Sequence, residues 1–165
     1  MKELELLWPV WDVNAPIMQP WSANEQVYKR FGLKGHNGID IGVVTGTGVL
    51  ASIDAVVRFA GDGFNFPIMG SAAGNCVVLE TEELLIGYAH LSHIYVSEGA
   101  SVALGDVLAL SGATGAVTGQ HLHWEALRKP LSLDNGYLGR FDITPYIKYP
   151  GTPIDTPPSL EEAPL

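Results

Sequence analysis

The sequence predicts a mainly β fold: an antiparallel β-sandwich or open barrel with a short N-terminal helix and a short C-terminal helix. Three observations carry this expectation. Across residues 38–127 the apolar residues fall in short runs separated by glycine-bearing turns. No helical period is sustained over that stretch. The 19 glycines and 11 prolines suit a chain that turns often, as strand-rich folds do.

The elements follow in order. Residues 1–21 hold Trp8, Trp11 and Trp21 with Pro9, Pro16 and Pro20, the composition of an extended segment laid over a core. Ser22-Ala-Asn-Glu25 has the form of a capping box, which predicts a short helix to about Phe31, ended by Gly32. Strands are expected at 38–42, 49–51, 55–60, 76–80, 84–89, 106–110 and 121–125, each a brief apolar run. Asp142-Ile-Thr-Pro145 predicts a small helix with Thr144 as N-cap and Pro145 at its first position. Residues 1–148 are expected to form one domain, and 149–165, rich in proline and acid, a tail.

Composition narrows the function. With 47% hydrophobic and 16% charged residues the chain is globular in character. Its 18 acidic against 9 basic side chains leave no electrostatic reason to bind nucleic acid or an anionic membrane. No run of 18 apolar residues occurs, so no membrane span is expected. The opening Met1-Lys-Glu-Leu-Glu-Leu-Leu7 lacks a long apolar stretch and is not expected to act as a secretion signal. Cys76 is the only cysteine, which excludes an intrachain disulfide, and its apolar neighbours predict a small core residue.

The chemistry concentrates in the five histidines. In His121-Leu-His123 the two imidazoles would share one face of a strand, with Leu122 and Trp124 on the other. Two histidines on an apolar strand need partners, and a metal is one, since neutral imidazole is a good zinc ligand. In His36-Asn-Gly-Ile-Asp40 an imidazole and a carboxylate could converge on one ion from a turn leading into a strand. That spacing alone also suits an ordinary surface hydrogen bond. His90, in Tyr88-Ala-His90-Leu-Ser92, suits either a structural or an acid–base role. His93 reads as an exposed loop residue.

Taken together the motifs are more specific than any one of them. His-x3-Asp, then Tyr-Ala-His-Leu-Ser, then His-Leu-His, with Ser111-Gly-Ala-Thr-Gly115 and Thr118-Gly-Gln-His-Leu-His-Trp-Glu125, resembles the lysostaphin/LytM-type zinc metallopeptidases over roughly residues 15–128. Two departures touch no ligand position: Gly48 stands where that family often has proline, and Trp124 where phenylalanine is commoner. The resemblance implies one zinc ion per chain, held by His36, Asp40 and His123, with His90 and His121 as catalytic residues. No His-Glu-x-x-His helix supplies a glutamate base, so proton transfer and oxyanion stabilisation would fall to those two histidines. It further implies an endopeptidase acting on bacterial peptidoglycan. A chain read as having no secretion signal suggests a bacteriophage endolysin or a virion-associated lysin, with phage tail or other virion proteins as partners. The other reading is a catalytically silent module of a phage particle on the same fold.

Overall fold

In the computed structural model, residues 3–150 are described. Among the described residues eleven strands are formed: β1 (Leu6–Leu7), β2 (Ile17–Gln19), β3 (Ile39–Ile41), β4 (Gly48–Leu50), β5 (Ala55–Asp62), β6 (Asn75–Glu80), β7 (Leu84–Ile94), β8 (Ser101–Val102), β9 (Val107–Ser111), β10 (Leu122–Arg128) and β11 (Ile147–Lys148). Every expected apolar run became a strand. The short strands β1, β2, β8 and β11 were not anticipated, because two or three residues are too few to show a period. Nine strands make one antiparallel sheet in the order β2-β3-β10-β7-β6-β5-β8, with β9 pairing β4 and the far end of β7. β1 and β11 form a separate parallel pair, which joins the two ends of the described chain.

Strand alternation sorts the sheet into two faces. Leu122, Trp124 and Ala126 of β10 turn into the main core with Ile39 and Ile41 of β3 and Ile86 and Tyr88 of β7. Their neighbours in alternation, His121, His123 and Glu125, therefore lie on the opposite face, where Leu127, Ala89 and Cys76 belong to a smaller apolar cluster. The N-terminal segment enters the main core rather than lying over it. Trp8 is buried and meets Trp124 edge-on, with ring centroids 6.4 Å apart at 87°. Burying an indole of that size is worth at least the roughly 1.5–3 kcal/mol of a large apolar side chain.

Both helix expectations need correction in detail. A single turn, α1 (Glu25–Tyr28), runs into a 3-10 turn, Lys29–Phe31, and Gly32 ends it at φ 75° as expected. The capping box does not form. Asn24 is the N-cap, in the left-handed region with no side-chain cap bond, and the Ser22 hydroxyl instead pairs with the Tyr137 hydroxyl at 2.7 Å. Near the end, Thr144–Tyr146 is a 3-10 turn with Ile143 as N-cap; Thr144 is its first residue, and Asp142 accepts from the Thr144 amide at 2.9 Å. Of the tail expected at 149–165, residues 151–165 lie outside the described residues.

Candidate active site

β10 is the organising strand. Its register sets His123 directly opposite Asp40 of β3 on one side and Ala89 of β7 on the other. Residues directly opposite in an antiparallel pair share a face, so Asp40 and His123 are placed together by pairing alone. His121 precedes β10 on the same face, held by a bridge to Gly112. His36 arrives from the loop after the first helix, which is fixed by backbone bonds from the His36 amide to the Ala23 carbonyl and from the Ser22 amide to the His36 carbonyl.

His90 marks the point where β7 changes partners. Up to Ala89 the strand pairs with β10, and from Leu91 it pairs with β9. The register with β6 also shifts here, so that two residues of β7 oppose one of β6. His90 takes up the irregularity with φ 64°, a left-handed conformation uncommon for a residue with a Cβ. A bulge of this kind re-aims a side chain, and here the ring turns to the site face, 4.7 Å from His121 between ring centroids.

The histidine tautomers follow from their acceptors, because carbonyls and ionised carboxylates cannot donate. His36 donates from Nδ1 to the Pro20 carbonyl at 3.3 Å, which leaves its lone pair on Nε2. His123 donates from Nε2 to Glu125 at 3.0 Å, which leaves its lone pair on Nδ1. These two lone pairs face each other at 3.1 Å. Asp40 Oδ1 completes the triangle at 2.9 Å from His123 Nδ1 and 3.2 Å from His36 Nε2. With both rings neutral, three electron-rich atoms so close repel unless a proton or a metal ion lies among them. A tetrahedral zinc ion with N and O ligands at about 2.0–2.1 Å sets its ligand atoms about 3.3 Å apart, so the donor set fits such an ion. Among the described residues, His36, Asp40 and His123 are the group able to hold a metal in this way.

Charge agrees with that geometry. Burial would raise the Asp40 carboxyl, but hydrogen bonds with His123 and His36 outweigh it and hold the group far below the usual carboxylate range. Burial disfavours an imidazolium at His123, yet hydrogen bonds to Asp40 and Glu125 push that ring up to about 9. A proton and a divalent cation compete for the same Nδ1 lone pair, and the carboxylates that favour one favour the other. His90 is different. Burial, with the neighbouring His123 and His121, lowers it to about 4, so it is neutral at ordinary pH. Its Nδ1 donates to the Thr114 carbonyl at 2.9 Å, and His121 Nδ1 donates to the Gly119 carbonyl at 3.0 Å. Each ring thus keeps its lone pair on Nε2. His121 Nε2 lies 3.6 Å from Asp40 Oδ2, beside the triangle.

The site opens into a cleft of about 660 Å³, with Tyr28 of α1 and Phe31 of the following 3-10 turn among its lining residues, together with Met69, Val117 and Leu138. His36, Asp40, His90, His121 and His123 all line it. His93 does not; it is exposed at the end of β7, on a strand rather than in a loop, against the Tyr95 ring. Cys76 is fully buried in β6, and burial first, then Glu125 and Asp62, pushes its thiol up to about 12. Two site residues were missed from sequence. Glu125 was legible in principle, two residues past His123 and so on the same face. Arg140 had no local signal, because it comes from a loop remote in sequence.

The model of peptidase family M23 matches residues 34–135. The chain is 42% identical over 93 residues to the peptidoglycan DD-endopeptidase ShyA of Vibrio cholerae, covering 56% of this chain and 20% of that protein. It thus spans about a fifth of that relative's length. A zinc-containing peptidase of Vibrio cholerae shares the fold at a TM-score of 0.64 and 30% identity, over 78% of this chain and 38% of the other. The catalytic domain of lysostaphin from Staphylococcus simulans matches at a TM-score of 0.60 and 25% identity, over 80% and 87%. The match to the family model covers well over half the chain, on a mainly β fold with a His/Asp/His cluster, and the chain belongs to peptidase family M23.

Proposed function

We propose that this chain is a zinc-dependent endopeptidase that hydrolyses cross-link or stem peptides of bacterial peptidoglycan. The observation that carries the reading is the triangle of His36 Nε2, Asp40 Oδ1 and His123 Nδ1, with two further histidines beside it in an open cleft. Those three side chains hold the ion. Bound zinc supplies Lewis-acid polarisation of the scissile carbonyl and makes water acidic enough to attack near neutral pH.

The chain's own residues do the rest. His90, neutral and anchored through Nδ1, offers Nε2 to take a proton from the attacking water. The proton that His90 takes passes from it to the leaving amine, and His121, anchored in the same way beside Asp40, donates to the developing oxyanion when its Nε2 carries a proton. The two roles are interchangeable on this geometry. The cleft that holds the peptide over the triangle is lined by Tyr28, Phe31, Met69 and Val117, among others. Peptidoglycan as substrate is supported by the similarity to ShyA, a peptidoglycan DD-endopeptidase.

Zinc content measured beside mass spectrometry of digested peptidoglycan tests the reading. One zinc per chain and release of cross-link or stem peptides is the expected result; zinc without any cleaved peptide overturns it in favour of a silent module. For delivery we propose a phage context, endolysin or virion-associated lysin. The net acidic charge gives the chain no electrostatic hold on anionic wall polymers, so charge alone does not bring it to the wall. Its presence in purified virions favours the second form, and its restriction to lysates the first.

A further inference from the structure

We propose that Arg140 and Glu125 act as a positioning pair for His123, fixing the ring so that Nδ1 is presented to the metal. The inference rests on the zinc reading above. Glu125 is 3% exposed and Arg140 4% exposed. A carboxylate that deep, set against histidine alone, would be an undercompensated buried charge. Arg140 compensates it from one side only. Its Nε and Nη2 both donate to Glu125 Oε1, at 3.0 and 2.7 Å, which leaves Oε2 to accept from His123 Nε2 at 3.0 Å. The carboxylate is thereby held in one orientation, and with it the tautomer and tilt of the imidazole.

Arg140 is itself held on all sides. Nη1 donates to the Leu138 carbonyl at 2.8 Å, and Nη2 also donates to the Ile68 carbonyl at 2.6 Å. Its loop is built to deliver it. Asn135 Oδ1 accepts from the Tyr137 and Gly139 amides, and Asn135 Nδ2 donates to the Arg140 carbonyl at 2.8 Å. The loop is tied to the segment leading to His36, through the Lys34 amide to the Gly136 carbonyl and through Tyr137 packed against Trp21, with ring centroids 4.4 Å apart and the planes tilted by 32°. The Ile68 bond ties it to the cleft wall as well. Arg140 therefore joins the segment before one metal ligand to the far side of another without touching the metal position.

The test is zinc affinity by chelator competition on wild type, Glu125→Gln, Arg140→Met, Arg140→Lys and the Glu125→Gln/Arg140→Met double variant, beside thermal melting. Glutamine is isosteric but cannot give an oxygen to both partners. Each single removal should weaken zinc binding about 10–100-fold. Lysine, which keeps the charge and loses the fork, should recover only part. The double variant should lose less than the product of the single losses, because the pair acts as a unit. A His123 Nε2–H resonance is expected in wild-type NMR spectra and should exchange away in both single variants. Should Arg140→Met fail to fold, Glu125→Gln carries the result. Lower melting temperatures with zinc affinity within twofold of wild type overturn the pair's role and leave the zinc reading intact. A wild-type chain that takes up no zinc overturns both.

Discussion

Asp40 and His123 face each other directly across β3 and β10, with Oδ1 2.9 Å from Nδ1. The contact is produced by strand register, so it is as rigid as the sheet. A one-residue slip of β10 would turn His121, His123 and Glu125 into the core and Trp124 onto the cleft, which the burial of Trp124 forbids.

Four of the site residues should divide into two groups. Asp40→Ala and His123→Ala are expected to lose zinc and activity together. His90→Ala and His121→Ala should retain zinc within a few-fold while activity falls by about 10²–10⁴, the range for a lost general acid or base. Metal analysis beside a wall-digestion assay checks this. Full activity in His90→Ala would remove that residue from the mechanism.

Gly38 should tolerate no side chain. A Cβ there would stand 2.6 Å from His123 Cε1 and 2.8 Å from the Trp124 carbonyl oxygen. Gly38→Ala must displace either the imidazole or the β10 backbone, and overpacking of this kind costs about 1–3 kcal/mol. Urea unfolding should show that loss, and zinc affinity should fall with it. Wild-type affinity in the variant would mean the ring can shift without consequence.

Acid should destabilise the metal-free protein partly through His90. Its folded value, about 4, lies below the ordinary 6.5 because burial and the neighbouring histidines disfavour the cation. Between those values the unfolded chain binds more protons than the folded one, so stability falls as pH drops from 6.5 toward 4 and is unaffected by this group above 6.5. The full contribution is up to about 3 kcal/mol at 1.36 kcal/mol per unit. His90→Gln should flatten the difference between unfolding at pH 7.5 and pH 4.5. An unchanged difference would place the acid sensitivity elsewhere.

Cys76 should be inert in the folded protein. It is fully buried, and its thiol is pushed up to about 12. A thiol reagent should react only after denaturant is added, because the thiolate is the reactive form. Rapid labelling of the native chain would contradict the burial.

Much was legible before any coordinates. Glycine-broken apolar runs located the long strands, since each run had to reverse direction to stay with its neighbours. His121-Leu-His123 showed two imidazoles on one face, because side chains alternate along a strand. The helix ends read less well. Ser22 and Glu25 had the residue types of a capping box, but Ser22 bonds Tyr137, more than a hundred residues away in the chain. Local propensity yields where a distant partner offers the stronger contact.

The amino-acid sequence by itself determined the longer strands and the same-face histidine pair, because these depend on residue type and periodicity; the set of side chains expected to hold a metal came from the family resemblance of the combined motifs. Tertiary structure alone decided that Asp40 lies opposite His123, that β7 bulges at His90 to turn its ring to the site face, and that Arg140 reaches Glu125. Those relationships depend on sheet register and loop closure between residues far apart in the chain, which no local pattern encodes.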